Sequence, residues 1–231
     1  MIKITDITTC NWEVALRGMR NPMNSWSKSD SCQCGSVDGL YCEDCAFHDE
    51  DPCEHYVMGM NDAILATKLA RAGSDHSKFL RMITVSMDIT APMYWWAEFD
   101  TYKVGTVRNS CSKMHKLLAK PFEVTDFSFD KIFTEPAMDI ARAIVDMLND
   151  LRKIWLACTD EKQAKKIWYT ILQLLPESYN QKSTVTFNYQ VLRNIYHARK
   201  DHKLDEWHTF CLAVEKLPYA GLLITDKEAI E

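Results

Sequence analysis

Glycine and proline are scarce, seven of each in 231 residues, and no segment repeats at a fixed period. That excludes flexible linkers and solenoid architectures. Long apolar runs are lacking as well, so no stretch has the length that a membrane-spanning helix needs. The opening MIKITDITTC lacks the basic and then apolar order of a signal peptide, and the expected setting is cytoplasmic, with no membrane partner. An excess of positive charge is also missing. The net charge is −5, whereas a general nucleic-acid coat needs a basic face. A small phosphorylated ligand needs only a few local cations and stays open.

What is present is a large apolar fraction, 47% of the chain, enough to bury a proper core. The expectation is a single domain over residues 1–231 with a Cys-rich insertion at about 28–56. Nine cysteines in a reducing compartment stay as thiols, so they are core residues, metal ligands or reactive groups rather than disulfides.

Ile2 to Ile7 reads as a strand, and Thr8 or Thr9 is placed to cap a short helix through CNWEVALRGMR. A polar turn at Asn21 to Ser25 follows, with Trp26 as its anchor. Tyr56 to Ala72 carries a helical apolar stripe that stops at Gly73. Met82 to Thr90 alternates strictly, with Ile83, Val85, Met87 and Ile89 on one face, the clearest strand in the chain. Ala91-Pro92 ends that strand, because Pro has no ladder donor and favours the first turn of a helix.

Further on, helices run from Pro136 to Ala157 and from a cap at Asp160 to Pro176, their apolar residues read as scaffold. Phe122 to Asp130 is loop with some extended character, and Thr184 to Phe187 is a short β-prone run. Tyr189 to Arg199 and Lys203 to Leu217 are helical, Asp201 being placed to cap the second.

Between Lys28 and His55 five of the nine cysteines collect among acidic residues. Cys32-x-Cys34, Cys42-x-x-Cys45 and Cys53-x-His55 are separated by spacers of seven residues. Close Cys pairs on short spacers are one way to reach tetrahedral zinc without a large core. The six residues are candidate zinc ligands; the alternative is an acidic surface loop with reduced thiols.

Ala91 to Leu117 mixes an aromatic head with a tail of Tyr102, Lys103, Arg108, Cys111, Lys113 and His115. A buried charge must be paired, so so many cations and donors beside Trp95 and Trp96 point to the wall of a site for something anionic and flat. Cys111 has no identifiable catalytic partner and reads as a plain buried thiol.

The order of a strand, Ala-Pro, an aromatic helix and then a polar tail resembles the flavin-dependent thymidylate synthase (ThyX-like) family. That family's signature, approximately R-H-R-x-x-S-x-N-E-x-S-x-R, falls on Thr101-Tyr102-Lys103, Thr106, Arg108-Asn109, Cys111 and Lys113. Leu175-Pro176, Asn188, Asn194 and Arg199 follow in the family's order and spacing. His76 matches the first of two family histidines, and Met82 stands in place of the second. The Arg-His-Arg has become Thr101-Tyr102-Lys103, and a Gln just upstream has become Glu98. Lys lacks the bidentate fork of Arg, and Glu98 adds negative charge beside an anion site.

The resemblance implies an α/β, ThyX-like fold with a mixed sheet and a helical C-terminal half, assembled as a homo-oligomer, a tetramer in the family. It implies FAD as cofactor, a pyrimidine nucleotide such as dUMP as substrate, and a folate as carbon donor. It assigns Arg199 to the pyrimidine and to catalysis, and Glu98, Arg108 and Lys113 to substrate. His76, Lys103, Asn188 and Asn194 are assigned to the flavin. The bland alternatives are solvated charges for Lys103, Arg108 and Lys113, a helix-end ion pair for Arg199 with Asp201, Asp205 or Glu206, and a cap and a polar helix face for the asparagines. Three functions therefore stand: flavin-dependent one-carbon transfer to a pyrimidine nucleotide, a nucleotide-binding or regulatory homologue without catalysis, and an interaction protein working through the Cys-rich insertion.

Overall fold

The computed structural model describes residues 2–35 and 55–228. In chain order it contains β1 (Lys3–Cys10), α1 (Trp12–Arg20), β2 (Cys32–Gln33), β3 (Tyr56–Val57), α2 (Met60–Arg71), β4 (Thr84–Pro92), α3 (Met93–Phe99) and β5 (Val107–Ser110). It continues with α4 (Lys113–Lys116), α5 (Glu135–Ala157), α6 (Glu161–Leu174), β6 (Asn180–Asn188), α7 (Tyr189–Arg199), α8 (Asp205–Glu215) and α9 (Ala220–Leu223). Four strands make one sheet in the order β1-β4-β6-β5, and β2 pairs antiparallel with β3 as a small ribbon. Among the described residues no helix is long and apolar enough to cross a membrane.

The chain divides into two compact units. Unit 1 comprises Met1–Thr5, Asp88–Thr101 and Arg108–Val185; unit 2 comprises Asp6–Met87, Tyr102–Val107 and Thr186–Glu231.

In unit 1, α5 and α6 pack on each other, and Val145, Leu148 and Ile171 join Leu117, Leu118, Phe122 and Phe127 in a buried cluster. Asp160 caps α6 as its position implied, accepting from the Lys162 N–H at 2.9 Å. The scaffold reading of this pair holds for one face only. Ile140, Met147 and Ile154, seven residues apart, are 64%, 38% and 56% exposed, so an apolar stripe on α5 faces outward. The stretch read as loop holds a 3-10 turn at Val124–Asp126, and Phe127 bridges to Tyr179.

In unit 2, α7 packs against α8, and Trp12 meets the Tyr189 and Tyr219 rings edge-on at 5.1 and 5.4 Å. Strand β4 belongs to unit 2 up to Met87 and to unit 1 from Asp88; its alternation is as expected, with Ile83, Val85, Met87 and Ile89 all fully buried, though the strand runs through Ala91-Pro92 rather than stopping there.

Several local expectations are corrected. The N-cap of α1 is Asn11 in the left-handed region (φ 70), not Thr8 or Thr9, and it makes no side-chain cap bond. Asn tolerates that conformation where Thr, being β-branched, does not. Trp26 is half exposed rather than an anchor, its Nε1 donating to Asn21 Oδ1 at 2.8 Å. The second helix begins only at Met60, because Tyr56 and Val57 pair with Gln33 and Cys32. Leu204, not Asp201, caps α8.

Candidate functional site

In unit 1 the site is built around a single guanidinium. Helix α3 buries Trp95, Trp96 and Phe99 at the end of β4. The Arg108 guanidinium lies 3.7 Å from the Trp96 ring centroid, a cation–π contact. Its Nη1 donates to both Asp100 carboxylate oxygens at 2.8 Å, its Nη2 to Gln181 Oε1 at 2.8 Å and its Nε to Ser183 Oγ at 3.0 Å. Gln181 and Ser183 lie on the inward face of β6 and are themselves buried. Arg108 thus has four of its five N–H donors engaged by the fold.

Gln181 passes the arrangement on. Its Nε2 donates to the Cys111 carbonyl at 2.7 Å, and both residues line a cavity of about 230 Å³ in unit 1. Lys113, Lys116 and Lys182 line the same cavity, with Ser112, whose hydroxyl caps α4. Lys182 pairs with Asp88 at 2.7 Å, and the hydrogen bonds from Lys182 and Thr184 hold the Asp88 carboxyl below the usual carboxylate range. Asp126, also on the cavity, pairs with Lys120 at 2.8 Å. Lys113 has only the Met93 thioether sulfur at 3.6 Å, and neither it nor Lys116 is ion-paired among the described residues. The cavity therefore holds surplus positive charge, which suits one anionic group. Glu98 is half-buried on α3, and Cys111 is exposed rather than buried, because it follows the short strand β5 at the mouth of the cavity.

In unit 2, Arg199 ends α7. Its Nε donates to the Tyr102 hydroxyl at 2.8 Å, and its guanidinium lies 4.7 Å from the ring centroid of the buried Trp207 and 5.5 Å from that of Tyr102. The result is a planar cation fixed by two aromatic side chains. Asp201 is paired with Lys200, at 2.6 Å. Asn188 caps α7, its Oδ1 accepting from the Val191 N–H at 3.0 Å. Gly105 (φ 76) lies against the Asn188 amide, where an added Cβ would meet Nδ2 at 2.8 Å.

A relay joins two of the flavin candidates' neighbourhoods. Buried Ser77 donates to Gln190 Oε1 at 2.6 Å, and Gln190 Nε2 donates to Asn194 Oδ1 at 3.1 Å. His76, beside Ser77, is exposed, as is Lys103, and neither side chain is engaged by another described residue. Among the metal candidates, the β2–β3 ribbon sets Cys34 against His55, the Cys34 N–H donating to the His55 carbonyl at 2.9 Å. Cys32 stands opposite Val57. Cys42, Cys45 and Cys53 lie outside the described residues. Among the described residues no group of three or more His, Cys, Asp or Glu is arranged to hold a metal ion.

Gln181, Ser183, Gln190 and Trp207 were not singled out by the sequence as site elements, and Tyr102 was named there without its link to Arg199. The one available signal was their polarity or bulk inside otherwise regular strands and helices.

No family model and no curated protein matches this chain. Solved structures do match its fold. Thymidylate synthase X of Helicobacter pylori with FAD and dUMP aligns at a TM-score of 0.64 and 16% identity, covering 98% of this chain and 98% of that one. A flavin-dependent thymidylate synthase of the same organism, complexed with FAD and dUMP, aligns at 0.62 and 16% identity, covering 96% and 99%. The fold is α/β and ThyX-like.

Proposed function

We infer that this chain binds a pyrimidine nucleotide such as dUMP, its phosphate taken by the cavity of unit 1. The observation that carries this reading is the pair Lys113 and Lys116, cations on a cavity of about 230 Å³ with no ion-pair partner among the described residues. A phosphate monoester needs few such cations, and charge-assisted hydrogen bonds to it are the strong kind. The full-length likeness of fold to two structures containing dUMP supports the nucleotide class. Arg199 in unit 2, held flat by Tyr102 and Trp207, is suited to the face or edge of an aromatic ring carrying partial negative charge.

FAD is the cofactor that the same likeness implies. Of its four candidate residues, Asn188 and Asn194 have their carbonyl oxygens engaged within unit 2, which leaves His76 and Lys103, both exposed. The cavity beside Lys113 is smaller than the roughly 300–1,000 Å³ of ligand pockets for drug-sized molecules, and a second cavity in unit 1, of about 530 Å³ beside Asn149 and Arg152, contains none of the four. The four candidate residues do not by themselves make a flavin cradle within one chain. The exposed apolar stripe of α5, with Ile140 and Ile154, supports self-association into a homo-oligomer, in the tetramer of the family, as the assembly that completes such a site.

Two functional readings of that assembly differ in chemistry. One is FAD-dependent one-carbon transfer to the pyrimidine with a folate donor, supported by the fold likeness. The other is nucleotide binding without turnover, favoured by Tyr102 standing where the family signature has His and by the four engaged donors of Arg108.

Absorbance, thermal unfolding with dUMP and light scattering on one purified sample separate them. A yellow oligomer whose midpoint rises with dUMP supports transfer; a colourless protein stabilised by dUMP supports binding alone. Absence of any dUMP-dependent shift overturns the nucleotide reading.

A further inference from the structure

Unit 2 carries a second set of cations, gathered on its C-terminal segment. Arg193 of α7 donates from Nη1 and Nη2 to the two carboxylate oxygens of Asp226, at 2.9 and 2.6 Å. Arg71, in the last turn of α2, adds its Nε at 3.2 Å. His197, on the next turn of α7, places Nε2 3.4 Å from the same carboxylate. Side chains from two helices therefore converge on one carboxylate. Arg193 also donates to the carbonyls of Leu223 and Ile224, and Arg71 donates to that of Glu228.

Three features distinguish this from an ordinary surface ion pair. The first is charge: two guanidiniums against one carboxylate leave a positive surplus whatever the state of His197. Of the neighbouring charges, Lys227 is paired with Glu215 at 2.7 Å, and the Glu228 carboxylate lies against Gly221 and makes no ion pair with Arg71 or Arg193 among the described residues. The second is shape. A guanidinium fork matched to two oxygens, with further donors around them, is the donor arrangement used for phosphate as well as carboxylate.

The third is how the carboxylate is held. Asp226 occupies the left-handed region at φ 58, which costs an L-residue unless its surroundings fix it. Asp226, Lys227 and Glu228 are exposed, so apolar burial does little to hold the segment there. Burial alone would push the Asp226 carboxyl up. The Arg193 hydrogen bonds and the charges of Arg193, Arg71 and His197 outweigh that and hold it below the usual range.

We propose that Arg71, Arg193 and His197 form a binding site for a phosphoryl group, and that the chain's own Asp226 occupies it as a stand-in. A phosphate-bearing ligand and the C-terminal segment then compete for the same donors. This site is independent of the unit 1 cavity and of the nucleotide reading, and it uses none of the lysines named there.

The test frees the cradle. Asp226→Gly removes the stand-in carboxylate at a position whose positive φ glycine adopts without strain. Inorganic phosphate is titrated by calorimetry into the full chain at fixed ionic strength, with chloride as the control. The expected result is phosphate affinity at least about tenfold above wild type, since the competing occupant is gone. The gain disappears in Asp226→Gly with Arg193→Ala. Equal affinity in wild type and Asp226→Gly overturns the proposal, as does a gain that survives loss of Arg193. If circular dichroism shows Asp226→Gly to be unfolded, Asp226→Asn, which keeps the shape and removes the charge, is held to the same outcomes.

Discussion

Two sets of cations, one in each unit, are held in opposite ways. In unit 2 the guanidiniums of Arg20, Arg193 and Arg199 are placed on carboxylates or aromatic faces. In unit 1 the ammonium groups of Lys113 and Lys116 line a cavity with no ion pair among the described residues. The chemistry of the two groups explains the division. A guanidinium is planar, weakly hydrated and carries a fixed fork, so it can be packed into a fold; an ammonium is strongly hydrated and stays where water or a ligand reaches it. A cation whose donors are filled by the chain belongs to the fold, and one whose donors are not filled faces a partner. Arg108 crosses the division, because it lies in unit 1 yet is held like the guanidiniums of unit 2.

The largest expected effect follows from removing a filled guanidinium. Asp62 is fully buried, with Arg20 Nε at 2.5 Å, the hydroxyls of Ser29 and Ser31 at 2.6 Å and the Asp30 N–H at 3.3 Å. Arg20→Ala leaves that carboxylate buried with no counter-charge, and a denaturant midpoint should report a loss of about 3–5 kcal/mol. The pH profile carries a second signature. Burial pushes the Asp62 carboxyl up, but the hydrogen bonds from Ser29, Ser31 and Arg20 and the Arg20 charge outweigh it, so it lies below the usual range. With a depressed folded pKa, the stabilisation is present above the unfolded value of about 3.9 and is lost as pH falls through the lower folded value. In Arg20→Ala the loss should begin at higher pH. A variant within about 1 kcal/mol of wild type would break the contrast between the units.

Much of this architecture could be read from periodicity. The alternation of Ile83 to Ile89 gave β4, the Asn188 cap and apolar spacing gave α7, and Asp160 marked the start of α6. The failures have a common cause, which is that contacts between distant residues override local pattern. The first half of β6 was missed because its inward positions are Gln181 and Ser183, polar residues that look like loop until Arg108 is placed on them. Arg199 was found by spacing and Tyr102 by composition, yet the bond between them, across 97 positions, was not foreseen. The Arg20–Asp62 pair spans 42 positions and left no signal in either local segment. Within the candidate site, residue identity pointed to the cations, and only the fold distinguishes the filled from the open ones.

Arg108→Ala is the intermediate case and tests whether chemistry or location decides. The Asp100 carboxylate is mostly exposed, so its ion pair adds little. Gln181 Oε1 and Ser183 Oγ are on buried residues, and losing their donor, together with the stacking on Trp96, should cost about 2–3 kcal/mol. Because Gln181 lines the cavity, Arg108 is a positioning residue, and nucleotide affinity should fall only modestly. Arg108→Lys should recover little of the stability, since an ammonium cannot reach Asp100, Gln181 and Ser183 with one planar fork. Full rescue by lysine would show that charge alone, rather than donor geometry, divides the two groups of cations.

Lys113→Ala should have the smallest effect on stability and the clearest effect on binding. Its ammonium has no ion pair among the described residues to lose, and its half-buried stem gives up only its contact beside Met93. Stability should stay within about 0.5 kcal/mol of wild type. Removing one charge-assisted bond to a phosphate should nonetheless weaken dUMP by about tenfold, or ~1.4 kcal/mol, read by calorimetry at fixed salt. The two readouts are expected to separate in the opposite sense from Arg20→Ala, where stability changes first. If Lys113→Ala were instead strongly destabilising and left dUMP affinity unchanged, the lysine would be part of the fold, and an unfilled donor set would no longer mark a ligand-facing cation.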